Sequence, residues 1–195
     1  MFNLISDARK NKDVIHLKNV FIPCFDWNDA IYFISNYFNS DYSGNKQHSD
    51  RFLNRYDGKK TNVFVWNNLD LCLYNFNDEK IFKDIYNFTN NINILKETIF
   101  SRALINLAGH EQKYYIHKDL KDNISFQQLG KMEWRIYGNV EGADEQPLNL
   151  NNDLSHLPYK SYILEPGDVL FIPKGVAHEV VVNEPRFSIL LNICD

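Results

Sequence analysis

From Ala103 to Ile193 the chain is written almost wholly in short apolar runs separated by turn-forming residues, a pattern that suits strands and leaves little room for helices. The runs are 103–108, 114–119, 124–129, 132–137, 161–164, 169–172, 178–182 and 187–193. Eight short strands of this kind predict two packed antiparallel sheets, a jelly roll or barrel, and hence a mainly β fold with flanking helices. The punctuation agrees. Pro166-Gly167-Asp168 makes a tight turn into one strand, and Pro173 and Gly175 stop that strand so that His178 begins the next. The stretch 139–160 has no periodicity and contains Gly142, Pro147 and Pro158, so it reads as a long excursion at one end of the barrel.

The first half has a different period. Asp26 caps a helix whose apolar residues Trp27, Ala30, Ile31, Ile34, Tyr37 and Phe38 fall at spacings of three and four, and this stripe is predicted to pack on the outside of a sheet. Val14–Leu17 is a short strand, and Asn62–Trp66 with Leu71–Tyr74 form a hairpin through the turn residues between them. Asp78 opens a helix to about Asn90, a second short helix runs through Ile94, Leu95 and Ile99, and 39–60 is a polar loop. At 195 residues the chain is expected to be one domain, with 1–101 as a mixed α/β flank and 102–194 as the β core.

Charge and cysteine content exclude several classes. The net charge is −4 and no run of Lys and Arg is long enough to track phosphates, so nucleic acid is not implied. Cys24, Cys72 and Cys194 are odd in number and lack metal-type spacing, which favours free thiols and a reducing compartment. There is no apolar span or signal segment, so the chain reads as cytoplasmic, away from the membrane.

The residues that carry chemistry lie within the β half. His117-Lys118-Asp119 ends the strand-like run Lys113–Ile116, and residues two apart on a strand share a face. His117 and Asp119 can therefore meet one ion, with His178 as the third ligand. Two imidazoles and one carboxylate cover one face of an octahedral ion and leave the opposite positions open. That arrangement suits Fe(II) binding a co-substrate and then O₂. His16, His110 and His156 read as ordinary histidines, and His48-Ser49-Asp50 as a solvated loop.

Two longer segments resemble a known family. Leu164-Glu165-Pro166-Gly167-Asp168-Val169-Leu170-Phe171-Ile172-Pro173-Lys174-Gly175-Val176-Ala177-His178 is similar to the second metal-binding motif of cupin and JmjC-type oxygenases. His117 to Arg135, with Gln127, Gly130 and Trp134, resembles the metal-binding strand, glutamine, glycine turn and tryptophan of JmjC-type hydroxylases. The resemblance covers roughly 102–194. It implies a double-stranded β-helix, Fe(II) held by His117, Asp119 and His178, and 2-oxoglutarate as co-substrate. It further implies hydroxylation of a substrate C–H bond, coupled to formation of succinate and CO₂, with a protein or peptide side chain as the family-level substrate.

The chain departs from that pattern at one place. The position where such hydroxylases carry a basic anchor for the far carboxylate falls on Met132, and a buried unpaired carboxylate costs several kcal/mol. Arg186, just after Asn183-Glu184-Pro185, is the substitute candidate, because some 2-oxoglutarate oxygenases draw their anchor from the strand after the distal histidine. Asn123, Tyr115 and Asn192 are further candidates for the co-substrate pocket, as polar residues set in apolar strands. Two alternatives stay open: a cupin-type metalloenzyme that does not use 2-oxoglutarate, for which Met132 is the argument, and an inactive metal-binding jelly-roll module.

Overall fold

The computed structural model describes residues 2–39, 63–66, 70–74, 85, 98–107, 112–113, 116–138, 140 and 156–194. Among these residues two helices, α1 (Phe2–Asn11) and α2 (Trp27–Asn39), accompany eleven strands. The strands are β1 (Ile15–Leu17), β2 (Val63–Trp66), β3 (Asp70–Tyr74), β4 (Thr98–Asn106), β5 (Gln112–Lys113) and β6 (Asp122–Leu129). They continue with β7 (Met132–Gly138), β8 (Lys160–Leu164), β9 (Val169–Ile172), β10 (Ala177–Val182) and β11 (Arg186–Cys194).

The strands form a seven-stranded sheet, β1-β9-β6-β11-β4-β3-β2, and a four-stranded sheet, β5-β10-β7-β8, in which neighbouring strands run antiparallel. The jelly roll predicted from the turn pattern is therefore present. The first half extends the larger sheet through β1, β2 and β3, so it does more than flank it. The predicted hairpin is also there, with Trp66 opposite Asp70.

Strand alternation sorts the larger sheet into two faces. Ala103, Ile105, Ile124, Phe126, Val169, Phe171, Phe187, Ile189, Leu191 and Ile193 form one core with Ile5, Ala8, Phe25, Ala30 and Phe33 from the helices and their flanks. The opposite face carries Leu170 and Ile172 into a second core with Met132, Trp134, Ile136, Leu164, Val176, Val180 and Val182, most of them from the smaller sheet. The first core joins sheet to helices, and the second lies between the sheets.

Helix α2 begins with a reciprocal cap: Asp26 Oδ1 accepts from the Asp29 amide and Asp29 Oδ2 from the Asp26 amide, each at 2.9 Å. The predicted stripe is rotated. Trp27 and Ile31 are exposed, whereas Ala30 and Phe33 are buried and Ile34 packs partly against the core. Phe33 meets Phe25 and Phe187 edge to face, so the buried face of the helix is centred on Ala30 and Phe33. Helix α1 was not foreseen.

Two further differences concern the β half. Of the run expected at 114–119, only 116–119 is described: His117 joins His178 as an isolated bridge and Asp119 lies outside any strand, while β5 covers Gln112–Lys113 just before the run. Ile99 belongs to β4 and not to a short helix. The loop predicted at 39–60 loses its first residue, Asn39, to α2, and the rest of it, the helix from Asp78 and the segment through Ile94 and Leu95 lie outside the described residues, apart from Ile85. Among the described residues no helix is long and apolar enough to cross a membrane.

Candidate metal centre

His117, Asp119 and His178 come together as the spacing predicts, with one donor atom from each lying within 4.8 Å of the others. Asp119 Oδ1 is 3.8 Å from His117 Nε2, and Asp119 Oδ2 is 3.4 Å from His178 Nε2. An ion with bonds of about 2.1 Å places neighbouring ligand atoms roughly 3 Å apart, so the three side chains are close to a shared coordination shell. The backbone sets this meeting. His117 and His178 exchange N–H···O bonds of 2.9 Å in both directions, and the Gly175 amide donates to the Asp119 carbonyl at 2.9 Å.

The donor set fits a divalent cation. His178 is buried, and its Nδ1 lies 2.9 Å from the Val176 carbonyl, which can only accept a hydrogen bond. Nδ1 therefore carries a proton, and Nε2 is left directed at the Asp119 carboxylate. An imidazole nitrogen and a carboxylate aimed at one point can share a cation. Burial opposes ionisation of Asp119, but contact with His178 and the fields of His178, His117 and Arg102 outweigh it and hold the carboxyl well below its usual range. A carboxylate that stays ionised is what a metal ligand requires.

Behind the triad lies a relay of amides. Asn123 Nδ2 donates to Asp119 Oδ2, and Asn192 Nδ2 donates to Asn123 Oδ1. Asn123, expected to line the co-substrate pocket, thus orients a metal-ligand candidate as well. Asn192 stands opposite Asn123, Leu190 opposite Ser125, and Ser188 opposite Gln127, so a polar row runs down the inner wall of the larger sheet.

Arg186 stands at the far end of this row. It is 1% exposed, so it is not a solvated turn residue, and its Nη1 donates to the Leu104 carbonyl and to Ser188 Oγ, each at 3.3 Å. Ser188 Oγ donates to Gln127 Oε1 at 2.7 Å and lies 3.7 Å from Met132 Sδ. The guanidinium therefore reaches the neighbourhood of Met132 from the opposite sheet. Gly130 helps to seat it: at φ +64° a Cβ there would lie 2.0 Å from the Pro185 carbonyl oxygen, so the β6–β7 turn packs directly on the residue before Arg186.

Three buried polar atoms of the inner walls have no hydrogen-bond partner among the described residues: Ser125 Oγ, Asn192 Oδ1 and Trp134 Nε1. Trp134 lies 5.3 Å from the His178 ring. Each such atom costs about 1–3 kcal/mol unless something polar meets it, so a cluster of them beside the triad is the mark of a polar ligand. Sequence reasoning missed Ser125, although it shares the alternating face of Asn123 and Gln127. Tyr115 lies outside the described residues. His16 is structural, with Nε2 2.9 Å from Asp168 Oδ2.

The family profile described as JmjC domain matches residues 80–193. This chain belongs to the JmjC domain family. Curated relatives of this JmjC chain include the bifunctional lysine-specific demethylase and histidyl-hydroxylase NO66 of Drosophila yakuba, 28% identical over 88 residues, or 43% of this chain and 13% of that protein. The NO66 protein of Dictyostelium discoideum is 29% identical over 86 residues, 42% of this chain and 17% of that protein. The chain thus spans a small part of the curated relatives it matches. Among solved structures, the Escherichia coli ribosomal oxygenase YcfD superposes with a TM-score of 0.60 at 18% identity, covering 97% of this chain and 51% of that one. YcfD has also been solved with cobalt and 2-oxoglutarate, and that form matches with a TM-score of 0.59 at 16% identity, over 98% of this chain and 52% of that one. These structural likenesses bear on the fold.

Proposed function

We propose that this JmjC chain is one catalytic domain of a non-haem Fe(II), 2-oxoglutarate-dependent oxygenase that hydroxylates a side chain of a protein or peptide. The observation that carries the reading is the triad His117, Asp119 and His178 opening on a buried wall with three unsatisfied polar atoms and an arginine at its end. The demethylase and histidyl-hydroxylase activity named for NO66, and the cobalt and 2-oxoglutarate bound by YcfD, favour the same chemistry. A reducing, cytoplasmic setting agrees with the free Cys24 thiol.

Fe(II), with 2-oxoglutarate and O₂, would supply the oxidising chemistry that hydroxylates a C–H bond and releases succinate and CO₂. The chain's own groups do the positioning. His117, Asp119 and His178 would hold the ion, and Asn123 fixes the Asp119 carboxylate. The Arg186 guanidinium receives the far carboxylate of 2-oxoglutarate, held in place by Ser188 and through it by Gln127. Along β11, Ser188 stands four residues from Asn192, roughly 13 Å of strand, and side chains reach inward from both ends of that interval. Ser125, Asn192 and Trp134 offer the intervening hydrogen bonds. Apolar residues of the smaller sheet, Ile136, Val180 and Val182, exclude water from the opposite wall.

Met132 favours a metalloenzyme without 2-oxoglutarate; the support for the oxygenase reading is the buried Arg186, which reaches the same neighbourhood through Ser188. The test is to add Fe(II) and 2-oxoglutarate without O₂ and look for visible charge-transfer absorption, then admit O₂ and measure succinate. Metal binding with neither signal would reject the oxygenase in favour of a metalloenzyme without 2-oxoglutarate.

A further inference from the structure

The two segments that carry the candidate ligands are tied together a second time, away from the ion, by helix α1. Asp122, three residues after Asp119, is 4% exposed, and its Oδ1 accepts the Lys174 amide at 2.7 Å. Its Oδ2 pairs with Arg9 Nε at 2.5 Å. One carboxylate thus receives a charge from α1 and an amide from the turn that leads to His178. Lys12 adds a second link, with Nζ donating to the Lys174 carbonyl at 2.7 Å. That turn also donates the Gly175 amide to Asp119 itself.

The end of α1 is shaped for this contact. Lys12 adopts φ +60°, where a non-glycine residue costs about 1 kcal/mol, and the Asp13 amide donates to the Ala8 carbonyl at 2.9 Å in a Schellman-type close. Glycine would make that turn without strain, but only a long basic side chain reaches the Lys174 carbonyl.

We propose that Arg9 is a positioning residue for the metal centre, acting through Asp122 on the 173–175 turn and so on His178 and Asp119. The inference rests on the metal-centre reading above. With Arg9 removed, the buried Asp122 carboxylate loses its counter-charge and is drawn toward water. Its grip on the Lys174 amide then weakens, and the two ligand segments are free to separate. Support outside the coordination shell typically changes metal affinity by 10–100-fold, and this brace is one bond further out, so a change of about tenfold is expected.

The experiment compares Mn(II) affinity by calorimetry, well below the melting temperature, in the full chain, Arg9→Met, Arg9→Lys, Asp122→Asn and the Arg9→Met/Asp122→Asn pair. Arg9→Met should bind Mn(II) about tenfold more weakly, Arg9→Lys should recover most of the loss, and Arg9→Met should have no further effect once Asp122 is Asn. Unchanged affinity in Arg9→Met overturns the proposal, as does an undiminished loss in the Asp122→Asn background. If Arg9→Met fails to fold, Asp122→Asn with and without Arg9→Lys makes the same comparison. Amide exchange at Gly175 and His178 decides the brace independently of metal: faster exchange in Arg9→Met supports it and unchanged exchange rejects it. A full chain that binds no Mn(II), yet shows that faster exchange, would reject the metal reading and keep the brace.

Discussion

His117 and His178 exchange both main-chain hydrogen bonds at 2.9 Å, which holds their ring centres 4.4 Å apart before any ion is bound. The two imidazoles thus need little reorganisation to share a metal. His178 is further fixed by the Val176 carbonyl, and Asp119 by Asn123, so each of these ligands is oriented by a partner behind it.

Replacing His117 with Ala should reduce Mn(II) or Co(II) affinity by at least about 100-fold, because two remaining donors cannot hold the ion against water. His117 is partly exposed, so the melting temperature of the metal-free protein should change little. Titration calorimetry and thermal denaturation read the two effects separately. Tight metal binding by this variant would contradict the assignment.

Arg186→Met should weaken 2-oxoglutarate binding on the order of 100-fold while leaving Mn(II) affinity nearly unchanged, since a buried carboxylate without its counter-charge costs several kcal/mol. Adding Met132→Lys to that variant should restore part of the affinity by placing a cation at the same place from the other sheet. Equal 2-oxoglutarate affinity in Arg186→Met and the unmutated chain would move the anchor elsewhere.

Gly130→Ala should lower stability by more than about 1 kcal/mol, the cost of a left-handed φ alone, because the added Cβ also meets the Pro185 carbonyl. Chemical denaturation gives the stability change. A companion loss of 2-oxoglutarate affinity is expected, since Pro185 carries Arg186.

Asp168 supplies a pH-dependent term. Burial raises its pKa, but the Asn19 and Glu165 amides and His16 outweigh it and hold the carboxyl below its ordinary 3.8. A group whose folded pKa is depressed stabilises the protein above the unfolded value and loses that contribution as pH falls through the folded one. Asp168→Asn should therefore cost about 1–3 kcal/mol at pH 7, a gap that narrows as the pH falls below 3.8. Urea denaturation at neutral and acid pH measures it.

The sequence by itself determined the eight-strand core and the turn at Pro166–Asp168, because apolar patterning and turn chemistry act within a few residues, and it named His117, Asp119 and His178, which the main-chain pairing of His117 with His178 brings together. It also singled out Met132 as a break in the pattern and Arg186 as the substitute candidate. Tertiary structure decided the rest. The buried face of α2 meets Phe25 and Phe187, which lie outside the helix, and Asn123 joins Asp119 to Asn192 where β6 pairs with β11. That Ser125 Oγ and Trp134 Nε1 are buried without a hydrogen-bond partner among the described residues is seen only once the two sheets are stacked. Arg9 is 113 positions from Asp122 in the chain, and no periodicity links them. Such contacts depend on how separate elements dock, and docking is decided by summed packing over many residues, which local sequence patterns do not encode.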